Sequence, residues 1–221
     1  MSILVLFDFD GTFADTAPDM AAAANRQRIK RGLEPLPLER LRPFVSMGAR
    51  GMVRASLGFE PDHPEFEQAK LDFLTDYEAN STDQTCLFEG IPDLLDNIRN
   101  ANMQWGIVTN KITRYAEPIV HWLNLPDCAV LVCGDTTPYA KPHPLPLQHA
   151  AQQAGFEAER CVYIGDDLRD IQAATAARMA SIAAAYGYCG PDHPVDTWQA
   201  DRTASHPNDI WTNLLDLMQT R

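Results

Sequence analysis

The sequence predicts an α/β fold, a doubly wound parallel sheet interrupted after its first strand by a wholly helical insertion. Three observations predict it. Short apolar runs alternate with helical stretches beyond Cys86, the pattern of βα units. Between residues 16 and 83 the apolar residues follow helical spacing and no run reads as a strand. Polar and acidic residues gather where the apolar runs stop, and in an open α/β sheet those strand ends are where ligands bind.

Residues 3–7, Ile-Leu-Val-Leu-Phe, form an apolar run of strand length, as a strand buried on both faces requires. Asp15 or Thr16 can cap the helix that follows, with Pro18 in its first turn and Gly32 as its stop. Residues 33–43 carry three prolines and begin with a loop. Helical spacing then continues to about Asn80 through Met52, Val53, Leu57, Phe66, Phe73 and Tyr77, with a break between Gly58 and Pro64. Further on, helices are expected over 91–100, 113–123, 145–154 and 170–178, and strands over 105–109, 129–133, 161–165 and 180–184. The expected organisation is a core of residues 1–15 and 84–221 with residues 16–83 as a separate helical unit.

Composition narrows the possible partners. The chain has 221 residues, 45% of them hydrophobic, enough to bury a full core. Thirty acidic residues against 18 basic ones give a net charge of −12. That balance argues against nucleic acid and anionic membranes as partners. An anionic substrate must therefore be attracted locally, by a metal ion or a few lysines and arginines. The first residues lack a basic segment and meet Asp8 too early for a signal peptide. No apolar stretch approaches the length of a membrane span. The five cysteines, Cys86, Cys128, Cys133, Cys161 and Cys189, are scattered without metal-ligand spacing, as expected of reduced thiols in a cytoplasmic protein.

Four segments carry chemistry. Asp8 and Asp10 follow the first strand, with Gly11 and Thr12 next. Thr109-Asn110-Lys111 follows the strand at 105–109. Lys141-Pro142-His143-Pro144 opens a helix, and Gly165-Asp166-Asp167-Leu168-Arg169-Asp170 follows the strand at 161–165. Each alone has a plain explanation: a solvated loop, a helix cap, a surface lysine, a helix start with favourable charges. Together they place carboxylates on two strand ends, suited to an oxygen-loving cation such as magnesium. A hydroxyl, an amide and two lysines suit phosphate oxygens, and one carboxylate is left for covalent or acid–base work.

Asp8-Phe9-Asp10-Gly11-Thr12, Thr109, Lys141 and Gly165-Asp166…Asp170 resemble the four motifs of the haloacid dehalogenase superfamily, and the match spans nearly the whole chain. The helical insertion resembles that superfamily's α-helical cap. Val108-Thr109-Asn110-Lys111, Arg42-Pro43-Phe44-Val45 and Gly165 to Ile171 carry a closer resemblance to the phosphoglycolate phosphatase group. The narrowest resemblance is to N-acetylmuramic acid 6-phosphate phosphatases. It rests on residues 105–111, 114–119 and Tyr186-Gly187-Tyr188.

The resemblance implies a magnesium-dependent phosphatase acting on a small phosphorylated metabolite, as a monomer or homodimer. Asp8 would attack phosphorus and form an aspartyl phosphate. Asp10 would protonate the leaving oxygen and then activate water. Asp8, the Asp10 backbone carbonyl and Asp166 would hold Mg2+, and Asp170 would hold a metal-bound water or orient Lys141. Thr109 and Asn110 would donate to phosphoryl oxygens, and Lys141 would neutralise charge there. Arg50, between Gly48 and Gly51, would reach over the site from a cap loop and meet a substrate carboxylate. Lys111 is a further candidate substrate contact, and Asp167 either joins the metal shell or starts a helix. Candidate substrates are 2-phosphoglycolate and N-acetylmuramic acid 6-phosphate, both carboxylate-bearing. Two rival readings are a phosphosugar mutase of the same superfamily and a non-enzymatic phospho-receiver domain. The receiver lacks a cap and has no Asp-Gly-Thr after its phosphorylated aspartate.

Overall fold

The structure, a computed structural model, describes residues 3–190 and 192–219. β1 (Leu4–Phe7) is followed by a tight turn and the two-residue strand β2 (Ala14–Asp15). Four helices come next: α1 (Ala17–Lys30), α2 (Leu38–Leu41), α3 (Gly48–Leu57) and α4 (Phe66–Asn80), with a 3-10 turn at Arg42–Met47 between α2 and α3. β3 (Cys86–Leu87) leads to α5 (Ile91–Asn100), β4 (Gln104–Val108), α6 (Thr113–Trp122), β5 (Cys128–Val132) and α7 (Leu145–Ala154). β6 (Cys161–Gly165), α8 (Leu168–Ala177), β7 (Ala180–Ala184), β8 (Arg202–Ala204) and α9 (Pro207–Gln219) complete the described chain.

Six strands form one sheet in the order β5-β4-β1-β6-β7-β8. Every pairing in it is parallel. β1 lies between β4 and β6, its four residues fully buried. This explains the unbroken apolar run: helices cover both faces of such a sheet, so neither face of the strand meets water. The chain leaves β1 in one direction for β4 and β5 and in the other for β6, β7 and β8, so a crevice opens at the carboxyl end of β1.

The helices of residues 17–80 pack on one another, α1 against both α3 and α4. Their apolar sides join the main core through Phe13, Ala17 and Met20. β2 and β3 pair antiparallel, Ala14 opposite Leu87 and Asp15 opposite Cys86, so the two chain crossings lie side by side. Arg42 grips Asp15 there with two hydrogen bonds of 3.0 and 2.8 Å. The Tyr188 hydroxyl accepts from the backbone N–H groups of Thr16 and Ala17 at 2.8 and 2.9 Å. No helix among the described residues is long and apolar enough to cross a membrane.

Several local expectations need correction. Thr16 takes the N-cap position of α1 in helical geometry and makes no side-chain capping bond; its hydroxyl is diverted to Asp10, 2.5 Å away. Residues 33–37 form the expected loop, and the short helix α2 and the 3-10 turn follow it directly. α8 begins two residues before the expected Asp170, because Asp167 caps it and Asp170 closes a capping box back onto the Asp167 backbone. Lys141 stands on the loop before α7, nine residues beyond the end of β5. β8 and α9 extend the core beyond the last expected strand.

Candidate active site

The carboxyl ends of β1, β4 and β6 meet around a cavity of about 230 Å³. Asp8 continues the ladder one residue past β1, its N–H donating to Ile164 O at 2.8 Å. Residues 9–14 then turn back sharply, with Phe13 and Ala14 both donating to Phe9 O. Gly11 makes the turn possible, since its φ is +90° and a Cβ there would lie 2.2 Å from Asp166 Oδ2. The fold needs that close approach because Asp166 sits directly beneath the turn. The Thr12 hydroxyl donates to Asp166 Oδ1 and the Tyr188 N–H to Oδ2, each at 2.8 Å.

Asp8, Asp166 and Asp170 each offer a carboxylate oxygen within 4.8 Å of the others. Asp166 and Asp170 are fully buried. Burial, then the charges of Asp8 and Asp170, pushes the Asp166 carboxyl well above the usual carboxylate range. Burial likewise raises Asp170, to about 7, although the Lys141 charge opposes the shift. Lys141 is buried among them, its ammonium 2.9 Å from Asp8 and 2.8 Å from Asp170. It donates to the Tyr163 hydroxyl at 2.7 Å. Burial works against its charge, but Asp170 and Asp8 together hold it above the ordinary lysine value.

Asp10 faces the same cavity but belongs to a different network. Its Oδ1 accepts from Lys111 Nζ at 2.7 Å and from Thr16 Oγ1 at 2.5 Å. The Lys111 ammonium also lies 4.8 Å from the centre of the Tyr77 ring, on α4. Lys111 is thereby a partner of Asp10 and of the helical insertion, where the sequence suggested a substrate contact. Asn110 is also redirected. Its amide donates to Lys141 O and accepts from Lys141 N, both at 2.9 Å, so it anchors the backbone that carries Lys141. Thr109 is buried against the cavity. Its oxygen accepts from the Lys111 N–H at 3.1 Å, which leaves its O–H to donate.

Arg50 requires the plainest correction. It stands on α3, exposed, and does not line the cavity. Gly48 starts that helix in a left-handed conformation, φ +62°, so the segment expected to be a loop over the site turns helical at once. Arg50→Ala is accordingly expected to change kcat/KM for any phosphate ester by less than about twofold, the size of a surface substitution; steady-state assays of the purified variant check this. The insertion instead reaches the cavity through Val45, Ser46 and Met47, and the core answers with Arg169. Arg169 donates to the Asp167 carboxylate at 2.8 and 2.7 Å and to Ser46 O at 2.8 Å. Burial alone would raise Asp167, but the Arg169 guanidinium outweighs it and holds the carboxyl below its usual range. Asp167 is therefore a helix cap and a seat for Arg169.

Tyr163 and Ser46 are not among the residues expected in the site, and Thr12 and Arg169 stand inside its expected segments without an assigned role. Thr12 and Tyr163 had a signal, a polar group beside or inside an apolar strand run where no solvent can satisfy it. Arg169 and Ser46 had none, because their meeting depends on how the helices dock.

The chain matches the family model described as haloacid dehalogenase-like hydrolase over residues 5–184. It is 42% identical over 207 residues to an N-acetylmuramic acid 6-phosphate phosphatase of Pseudomonas aeruginosa, covering 93% of this chain and 92% of that one. It is 46% identical over 209 residues to a phosphoglycolate phosphatase of Xanthomonas campestris pv. campestris, covering 94% of each. Among solved structures, a haloacid dehalogenase-like family hydrolase from Streptococcus pneumoniae superposes with a TM-score of 0.81 at 21% identity, covering 96% of this chain and 98% of that one.

Proposed function

The chain belongs to the haloacid dehalogenase-like hydrolases and is a phosphoric monoester hydrolase; we propose that it hydrolyses a small carboxylate-bearing phosphate ester through an aspartyl phosphate on Asp8, with Mg2+ as cofactor. The observation that carries this reading is the convergence of Asp8, Asp166 and Asp170 within 4.8 Å, beside Lys141.

The donor set fits the ion. All three groups are hard oxygen donors, as Mg2+ prefers. Asp8 Oδ1 is buried, and its contact with Lys141 lacks the geometry of a hydrogen bond, so it retains acceptor capacity. Burial, and after it the charge of Asp8, holds both Asp166 and Asp170 above their usual range, a cost that a divalent cation relieves. Asp8, Asp166 and Asp170 would hold it, and when bound it would offset charge on the phosphoryl oxygens.

The chain's own residues then act in turn. An Asp8 oxygen attacks phosphorus, the bond to the ester oxygen breaks, and that oxygen takes the electron pair and a proton from Asp10. Water next attacks the aspartyl phosphate, Asp10 takes its proton, and the bond to Asp8 breaks to release phosphate. The Thr109 O–H and the Lys141 ammonium face the equatorial oxygens, where a loose phosphoryl transition state carries its charge. Lys111 and Thr16 fix the orientation of Asp10. Residues 16–83 act as the cap, whose loop around Ser46 excludes water from the aspartyl phosphate. The names of the relatives point to 2-phosphoglycolate or N-acetylmuramic acid 6-phosphate as the substrate.

Phosphate release from both esters and from an aryl phosphate, with Mg2+ and with a chelator, tests the reading. Multiple turnover that requires Mg2+ is expected. A single phosphorylation without turnover would indicate a receiver, and phosphoryl movement within a sugar without free phosphate a mutase.

A pH dependence follows from the acidic cluster. Without metal, Asp170 binds its proton more tightly in the folded than in the unfolded chain. Its contribution is complete below about pH 4, the unfolded value, and is lost as pH rises through about 7. Mg2+ restores that stability only where the acids are ionised. At about ten times its dissociation constant it should add about 1.4 kcal/mol, or roughly 3–5 °C of Tm for a chain of this size. The shift is expected at pH 7.5 and should be much smaller at pH 5; thermal melts with Mg2+ and with chelator at both pH values read it.

A further inference from the structure

Three cationic side chains border the cavity, and two are fully engaged. Lys141 lies among Asp8, Asp170 and Tyr163. Lys111 lies between Asp10 and the Tyr77 ring. Arg169 differs. Its Nε and Nη2 donate to Asp167 and to Ser46 O, while its Nη1 donates to nothing among the described residues. Its side chain is 38% exposed where the other two are 2% and 9%. The Asp167 carboxylate grips the Nε–Nη2 edge of the guanidinium and so fixes its plane, which leaves the Nη1 donors held in place for an anion.

The cap wall supplies the second half. Apart from Ser46, the side chains that residues 16–83 bring to the cavity are apolar: Met20, Val45 and Met47. Ser46 Oγ is buried and has no hydrogen-bond partner among the described residues. A buried hydroxyl left unpaired is costly, and a ligand that accepts from it removes the cost. Its own carbonyl rests on Arg169 at 2.8 Å, so the two groups share one corner of the cavity.

We propose that Arg169 and Ser46 form the subsite for the substrate's carboxylate, with Arg169 Nη1 and Ser46 Oγ as its donors. The inference rests on the reading of the protein as a phosphatase for carboxylate-bearing esters. It moves recognition of that group from a cap arginine to a core arginine and a cap hydroxyl. Arg169 then has two linked roles: it takes the carboxylate and it carries the cap loop that closes over it.

Two matched substrate pairs test this: 2-phosphoglycolate against ethyl phosphate, and N-acetylmuramic acid 6-phosphate against N-acetylglucosamine 6-phosphate. The first member of each pair carries the carboxylate. Wild-type enzyme should favour the carboxylate member of at least one pair by tenfold or more in kcat/KM. In Arg169→Gln that preference should shrink at least tenfold, mostly through KM. Arg169→Lys, which keeps a cation, should restore part of it, and Ser46→Ala should lower it about threefold. Equal losses on both members of the pair, in Arg169→Gln and in Arg169→Lys, would overturn the subsite and leave Arg169 as a cap latch only. A wild-type enzyme without preference in either pair would overturn the carboxylate-ester reading itself, and the subsite with it. If Arg169→Gln does not fold, Arg169→Lys and Ser46→Ala decide between these outcomes.

Discussion

Asp8→Asn is expected to lower kcat by about 10⁴-fold or more, the scale on which enzymes lose activity when a covalent nucleophile is removed. An amide oxygen of nearly the same size takes the place of the carboxylate, so the cavity keeps its shape. The fold should survive, and the structure gives the reason. Asp8 raises the carboxyl groups of both Asp166 and Asp170 by repulsion. Removing its charge relieves two buried acids. Lys141 loses one ionic partner but keeps Asp170 at 2.8 Å and the Tyr163 hydroxyl at 2.7 Å. Without metal, the variant should therefore melt no lower than the wild-type protein. Single-turnover assays and thermal melts on the same preparation read both quantities. Substantial turnover in a folded Asp8→Asn protein would overturn the proposal that Asp8 is the nucleophile.

The frame of this site is legible in the sequence because burial on both faces of a parallel strand leaves a simple mark. β1, β4 and β6 are apolar runs that end at Asp8, Thr109 and Asp166, and such runs can be read without a structure. The absence of any such run between residues 16 and 83 marks the helical insertion just as plainly. What is not legible is partner choice. Asn110 and Lys111 stand where a phosphate contact is expected. Their side chains turn to Lys141 and Asp10, groups 31 and 101 residues distant in sequence. No local pattern encodes a contact of that range. Arg50 fails for a different reason: two glycines beside a cation suggest a loop, and only the start of α3 at Gly48 shows that the segment is helical. β2, β3 and β8 are two or three residues long, too short for an alternating pattern to register. α9 goes unread although its signal is present, since Ile210, Leu214 and Leu217 repeat at helical spacing and are buried.

Asp166→Asn should weaken the response to magnesium at least about tenfold while sparing the fold. Asp166 has no solvent exposure and lies beneath the Gly11 turn. It is one of three carboxylates that converge within 4.8 Å. Removing one negative charge of three weakens a hard-cation site directly. Loss of an outer partner of a metal site already costs about 10- to 100-fold in affinity or activity, and loss of a ligand should cost at least that. The half-saturating Mg2+ concentration should rise by that factor, and the rise in Tm on adding Mg2+ at pH 7.5 should shrink accordingly. Stability without metal should change little, because two effects oppose each other. The Thr12 hydroxyl keeps its acceptor, but the Tyr188 N–H meets an amide nitrogen in place of Oδ2, a loss on the order of 1–3 kcal/mol. Against it stands the relief of a buried acid pushed well above its usual range by burial and by Asp8 and Asp170. Asp170→Asn should behave differently. Asp170 also holds Lys141 and closes the capping box of α8, so that variant should lose stability with or without magnesium. Titrations of activity and of Tm against Mg2+ separate the two. An unchanged half-saturating concentration in Asp166→Asn would show that this carboxylate serves the Gly11 turn and not the cation.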